Sequence, residues 1–232
     1  LSSNRLFETL NSVLDLAQLE SGSVNLSPQF LDVAALTRET VETFQQQARK
    51  KDLSLTVETD PDEIPVYLDR GVLVRSLDNL IGNAIKFTEE GGVTVRVTAN
   101  DRTVWLEVED TGIGIEEKYL PKLYEAFSQE STGAAREYEG TGLGLTITNQ
   151  LVNLVDGTLS VESTKGEGTT FTMEIPRLAV QMSREMTEDT ETALREEPTT
   201  DSIPPGQRVL VVDDDQLMRD LIGRVLPDTY TV

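Results

Sequence analysis

"TVWLEVEDTGIGI" (Thr103–Ile115) changes character halfway along. Its first eight residues alternate apolar and polar, as a strand with one buried face does. Val104, Leu106, Val108 and Asp110 then point the same way. The first three belong in a helix-covered core. Asp110 closes the row, where an unpaired carboxylate is costly, so it must meet a donor. The strand runs into a glycine-spaced hook, "DTGIGI", and a second hook, "GTGLGL" (Gly140–Leu145), comes later in the chain. Glycine weakens regular structure by roughly 0.5–1 kcal/mol relative to alanine, so such a cluster suggests a backbone that approaches something closely. Taken singly, Asp110 also fits a turn-initiating aspartate, and the second hook fits a loop that only bends the chain.

Outward from this stretch, strand and helix patterns mix. "GVTVRVTA" (92–99) alternates as 103–110 does, and "NDR" between them signals a hairpin. "TLSVES" (158–163) and "TTFTMEI" (169–175) predict a second hairpin across "TKGEG". "SVNL", "QFLDV" and "LSLTVET" (53–59) read as further strands. Helical patterns cover Val33 to Lys51, with Leu36, Val41 and Phe44 inward, then 69–87 and 142–156. The expected fold is an α/β two-layer sandwich: a mixed sheet of about five strands covered on one face by three helices. Ahead of it, residues 1–22 predict one helix, with Leu6, Leu10, Val13 and Ala17 on one face and Leu14 beside them. Such a stripe needs a partner helix. We assign 1–22 to part of a helical hairpin, 23–178 to the sandwich, 179–206 to an acidic flexible linker and 207–232 to the start of another domain. The chain begins at Leu1, and we read it as a piece of a larger protein that can itself reach a membrane.

Composition excludes much. The 232 residues contain no Cys and no His. Disulfides, Cys/His zinc sites, Ser-His-Asp triads and catalytic thiols are therefore out. The formal charge of −21 argues against the nucleic-acid backbone as a partner. No apolar run approaches the ~20 residues that span a bilayer, so we expect no membrane contact from this segment and a cytoplasmic location.

Three segments carry chemistry. In "DNLIGNAIKFT" (78–88), Asn79, Asn83 and Lys86 share one helical face, opposite Leu77, Leu80, Ile81 and Ala84. An ordinary solvated face is the plain alternative, but Asn is a poor interior helix former. The second hook opens a helix, whose N-terminal N–H groups make an anion site that Thr141 can cap. Neither hook is a Walker loop or a dinucleotide fingerprint. Together the segments offer an acceptor for an amine (Asp110, with room made by Gly112 and Gly114), an anion cradle, and amides with a Lys for phosphates and a metal. Mg-ATP matches. The polar stretch between the hooks has the look of a lid.

"DNLIGNAIKFT", "DTGIGI", "YEAFSQES", "GTGLGL" and "GEGTTFTMEIP" resemble, in that order, the N box, first glycine box, F box, second glycine box and closing strand of sensor histidine kinases. The resemblance covers about residues 1–176 and implies the Bergerat-type ATP-binding fold. It implies that Asp110 recognises the adenine amino group, with Thr169 helping through water, and that Asn83 holds Mg²⁺ on the phosphates beside Asn79 and Lys86. Gly112, Gly114, Ile115, Gly140, Thr141, Gly142, Leu143 and Gly144 become nucleotide contacts. Tyr124 and Phe127 anchor the lid, and Arg136 reaches toward the phosphates. Asn79, Lys86 and Arg136 are the expected catalytic set. Residues 1–22 resemble the second helix of the dimerisation and phosphoacceptor hairpin, which implies a homodimer in the parent. "RVLVVDDD" (208–215) resembles the start of a receiver domain, with Asp213 and Asp214 as its Mg²⁺ acids. The parent thus resembles a hybrid kinase with a receiver or response regulator as partner.

ATPase relatives place a Glu where Asn79 stands, and an amide cannot take a proton from water. The implied chemistry is phosphoryl transfer to a histidine that this chain does not carry. Two alternatives stay open: a degenerate nucleotide-binding regulatory module, and a gyrase- or chaperone-type ATPase.

Overall fold

The computed structural model describes residues 2–128 and 141–177, all within one unit, Leu1–Met186. Helix α1 (Ser2–Glu20) leads into strand β1 (Pro28–Asp32) and helix α2 (Val33–Arg49). Strands β2 (Ser54–Asp60) and β3 (Pro65–Asp69) precede helix α3 (Arg70–Phe87). The hairpin β4 (Gly92–Ala99) and β5 (Thr103–Asp110) follows, then a short 3-10 helix, Glu117–Lys122. Helix α4 (Gly144–Leu154) and the hairpin β6 (Thr158–Thr164) and β7 (Gly168–Pro176) complete the fold.

Five strands form one mixed sheet in the order β2-β4-β5-β7-β6. Both expected hairpins are antiparallel, and β2 joins β4 in parallel. Parallel neighbours need a crossover, here supplied by β3 and α3. Helices α2, α3 and α4 cover one face, as the alternating strands require. The inner residues Val95, Val97, Val104 and Leu106 and the α3 residues Leu73, Leu77, Ile81 and Ile85 are all fully buried.

One expectation fails and one element was not expected. "SVNL" is not a strand; residues 23–27 are irregular. The segment 65–69, which carries no long alternation, is a strand. It pairs antiparallel with β1 in a separate two-stranded ribbon. That ribbon starts two helices. Its last β1 residue, Asp32, caps α2 by accepting from Ala34 N at 3.0 Å and also accepts from Ile64 N at 2.8 Å. The last β3 residue, Asp69, caps α3 through Val72 N at 3.0 Å. Substituting such caps typically costs about 1 kcal/mol.

α1 docks on α4; its Leu16 is buried, while Leu10, Val13 and Leu14 are exposed. Asp15 also meets Arg75 of α3 at 3.6 Å. Leu10 and Val13 of the apolar stripe, with Leu14 beside them, therefore stay uncovered, in keeping with a helix that needs another partner. Residues 178–232, which include the expected linker and domain start, lie outside the described residues.

Candidate functional site

Register builds the site. On the helix-covered face, β5, β7 and β6 contribute matching rows: Leu106–Met173–Leu159, then Val108–Phe171–Val161, then Asp110–Thr169–Ser163. Two apolar rows thus end in a polar one. Asp110 is 8% exposed and Thr169 6%. Burial pushes the Asp110 carboxyl up to about 6, against N–H groups of Gly112 and Thr169 that hold it down. The Gly112 N–H donates to its Oδ1 at 2.8 Å. Ser163 joins the row as a hub: it accepts from Ile115 N at 2.8 Å, donates to Gly168 O at 2.9 Å and touches Thr169 Oγ1 at 2.9 Å. It was not among the expected site residues. The alternation of "TLSVES" that turns Leu159 inward also turns Ser163 inward, so the signal was present.

The first hook is stitched to its surroundings. Ile113 N donates to Phe87 O at 3.2 Å, and the Ile113 carbonyl accepts from Gly166 N at 2.8 Å. Lys165 Nζ donates to Gly114 O at 3.3 Å. Gly114 has φ +60°, and a Cβ there would lie 2.0 Å from Thr164 O. The close approach that glycine permits here is thus to the protein's own backbone.

The α3 face assembles opposite. Asn79, Asn83 and Lys86 are half-buried, and Leu77, Leu80, Ile81 and Ala84 on the other side are buried. Asn79 Nδ2 donates to Thr148 Oγ1 of α4 at 2.8 Å, and Asn83 Nδ2 reaches Asn79 Oδ1 at 3.4 Å. A Cβ at Gly144 would lie 2.1 Å from Asn79 Oδ1. Asn79 therefore ties α3 to the N-terminal half of α4, which accounts for an Asn inside a helix. Lys86 Nζ stands 4.8 Å above the Phe87 ring.

The second hook differs in detail from expectation. α4 begins at Gly144, not Gly142, and its N-cap residue Leu143 makes no side-chain cap bond. Thr141 sits earlier, accepting from Leu143 N at 3.3 Å. The Leu143 side chain is fully buried, so only its backbone can face a ligand. Gly142 (φ +70°) accepts from Phe127 N at 3.0 Å. The Phe127 ring itself is 65% exposed. Tyr124 is half-buried, donates to Leu159 O at 3.2 Å, and its phenol is pushed up by burial. Arg136 and Gly140, and Asp213 and Asp214, lie outside the described residues.

The donor set fits a nucleotide. Asp110 retains acceptor capacity for an amine after its bond to Gly112. Among the described residues no side chain of the N-cap position closes off the first N–H groups of α4, so an anion can meet them. Among the described residues no hydrogen bond reaches Asn83 Oδ1, a hard oxygen of the kind Mg²⁺ takes. No cluster of three acids occurs among the described residues, and no helix there is long and apolar enough to cross a membrane.

Residues 68–179 match the family described as histidine kinase-, DNA gyrase B-, and HSP90-like ATPase. The chain is 36% identical over 218 residues to the circadian input-output histidine kinase CikA of Synechococcus elongatus, covering 93% of this chain and 28% of that protein. It is 34% identical over 227 residues to the sensor protein EvgS of Escherichia coli, covering 95% of this chain and 18% of that protein. The chain thus spans under a third of these relatives. Among solved structures, full-length ShkA in complex with AMPPNP superposes with a TM-score of 0.69 and 32% identity, covering 75% of this chain and 36% of that one. The catalytic domain of the histidine kinase ThkA superposes with 0.59 and 28%, covering 66% of this chain and 97% of that one. Residues 68–179 therefore match this ATPase family, and the family model, the relatives and the solved structures together support a catalytic ATP-binding domain of a histidine kinase here.

Proposed function

We propose that this domain binds Mg-ATP and passes the γ-phosphate to a histidine on a dimerisation helix, with onward relay to an aspartate of a receiver domain. The observation that carries the proposal is the polar row Asp110–Thr169–Ser163 at the end of a buried apolar face, opposite Asn79, Asn83 and Lys86. Asp110 accepts the adenine amine, and Gly112 and Gly114 give the flat ring its place. Thr141, Gly142 and the first turn of α4 hold the phosphates by N–H groups. Asn83 would hold Mg²⁺ through its amide oxygen, and the metal, when bound, would supply charge neutralisation at the phosphates. Phosphoryl transfer asks chiefly for alignment and charge neutralisation, which these groups supply. Asn79 has no basic oxygen to activate water, and its amide is engaged with Thr148. That favours transfer over hydrolysis and speaks against the gyrase-type reading. Since the chain has no histidine, the acceptor belongs to another segment or chain. The exposed Leu10, Val13 and Leu14 suit α1 to pairing within a dimerising hairpin.

Calorimetry of the full chain with Mg-ATP tests the reading. Micromolar-range binding is expected in the wild type, with loss of at least tenfold for Asp110→Ala. Equal affinity in the two proteins overturns it. Incubation with labelled ATP is expected to leave no acid-labile phosphate on the chain.

A further inference from the structure

Lys51 lies in the connection between α2 and β2, outside the α3, hook and α4 segments that build the site. It is half-buried, and its Nζ donates to Ile85 O at 2.8 Å, Lys86 O at 3.0 Å and Thr88 O at 2.8 Å. These carbonyls belong to the end of α3, where a helix leaves such groups without intrahelical partners. An ammonium carries three protons and no acceptor, so it suits three converging carbonyls at a negative helix end. The neighbouring carbonyls go elsewhere. Ala84 O accepts from Thr88 N at 3.1 Å and from Thr88 Oγ1 at 2.7 Å. Phe87 O accepts from Ile113 N of the first hook at 3.2 Å. Lys51 thus grips the carbonyls on both sides of Phe87 and leaves the one between them to the hook.

The hook sits on that carbonyl with little slack. A Cβ at Gly112 would lie 2.5 Å from Phe87 O and 2.8 Å from Asp110 Oδ1. The Gly112 N–H donates to the same Oδ1 at 2.8 Å. Gly112 is therefore packed between the Phe87 peptide and the Asp110 carboxylate. Each peptide unit is planar, so fixing the carbonyls of 86 and 88 leaves the plane between them little freedom. We infer that Lys51 is a positioning residue for the base end of the nucleotide site: by fixing residues 86 and 88 it aims the Phe87 carbonyl at Ile113 and so sets the hook against Asp110. Without its ammonium, three carbonyls of α3 lose a charge-assisted donor. The turn at 85–88 then loosens, and the seat of Gly112 and Ile113 shifts. The inference rests on the nucleotide reading of the pocket, and it places the effect of Lys51 on the part that Mg-ATP and Mg-ADP share.

The test uses the full chain. Lys51→Met keeps an unbranched stem and removes the donors. In calorimetry it is expected to weaken Mg-ATP and Mg-ADP by one common factor of about five to ten, since the base is the same in both and hydrogen bonds from a charged donor are lost. Hydrogen exchange without nucleotide is the second readout. The Ile113 amide is expected to exchange about tenfold faster or more in Lys51→Met, while central amides of β5 stay within about twofold, as local rather than global opening requires. Should Lys51→Met not fold, Lys51→Arg takes its place: it keeps the charge at the helix end but not the single three-proton nitrogen. Unchanged affinity, a loss confined to Mg-ATP, an unchanged Ile113 amide, or acceleration spread evenly over β5 and the hook overturns the inference. A wild type that binds neither nucleotide overturns the site reading instead, and the Ile113 exchange then still judges the grip of Lys51 on the hook.

Discussion

Asp110 holds its site at a cost to the fold. Its carboxyl titrates near 6 in the folded chain against an ordinary 3.8. A raised carboxyl binds its proton more tightly when folded, so the stability it contributes is complete below pH 3.8 and is lost as pH rises through 6. At neutral pH the ionised group therefore opposes folding. Asp110→Asn, which keeps an oxygen for Gly112 N, is expected to raise the melting temperature at pH 7.5, by about 1–3 kcal/mol of stability at roughly 1.4 kcal/mol per pKa unit. The gain vanishes near pH 3.5, which thermal scans across pH can follow. The same variant is expected to bind Mg-ATP at least tenfold more weakly. In the wild type, affinity falls as pH drops through 6, because a neutral acid accepts poorly. Asn79 makes the complementary case. Asn79→Glu puts a carboxylate beside the phosphate region and is expected to raise steady-state ATP hydrolysis tenfold or more; an unchanged rate removes the role assigned to this amide. Asp110 was legible because strand alternation gives its direction and burial gives its chemistry. The bond from Asn79 to Thr148 was not, since it joins residues far apart in the chain and no local pattern pairs them.

Elements follow the same division. The two hairpins and α3 were readable because period and length agree over many residues. The strand β3 was not, because five residues beginning with Pro65 in "DEIPVYLD" show too little alternation to stand out. The start of α4 was misplaced by two residues because glycine hooks leave no strong capping signal; Leu143 caps nothing with its side chain. Lys51 shows what an element boundary can hide. Its Nζ donates to Ile85 O, Lys86 O and Thr88 O at 2.8–3.0 Å, sealing the C-terminal turn of α3 against which the first hook rests. At the other end, Leu16 is the buried hydrophobic residue of α1 among the described side chains. Leu16→Ala is expected to cost about 2–3 kcal/mol of local stability and to make α1 the first site of limited proteolysis, while Mg-ATP affinity stays within twofold. A large loss of nucleotide binding in that variant means that α1 shapes the pocket.

At the scale of the whole chain, charge dominates. Asp and Glu number 41 against 20 Lys and Arg, and the outward sheet face follows suit: Arg96 bridges Glu58 at 3.0 Å and Glu109 at 2.6 Å. Self-repulsion at −21 outweighs such exposed pairs, which are worth about 0–1 kcal/mol each. Salt shortens the range of that repulsion from roughly 10 Å at 0.1 M to 3 Å at 1 M. The melting temperature is therefore expected to rise by several degrees between 0.1 and 1 M KCl; a flat or falling curve contradicts this. The expected sandwich is the one observed, because one-sided burial in the strands demands a single helical layer. The turn between β6 and β7 carries a final consequence. It is surface-borne and glycine-containing, the sort of segment that usually accepts insertions freely. Yet the side chains at 163 and 169 face inward together only while the spacing between them is kept, since slipping a strand by one position sends each to the opposite face. The letters of this turn thus matter less than their number, and insertion scanning across residues 164–168 is expected to find weakened Mg-ATP binding in a domain that still folds.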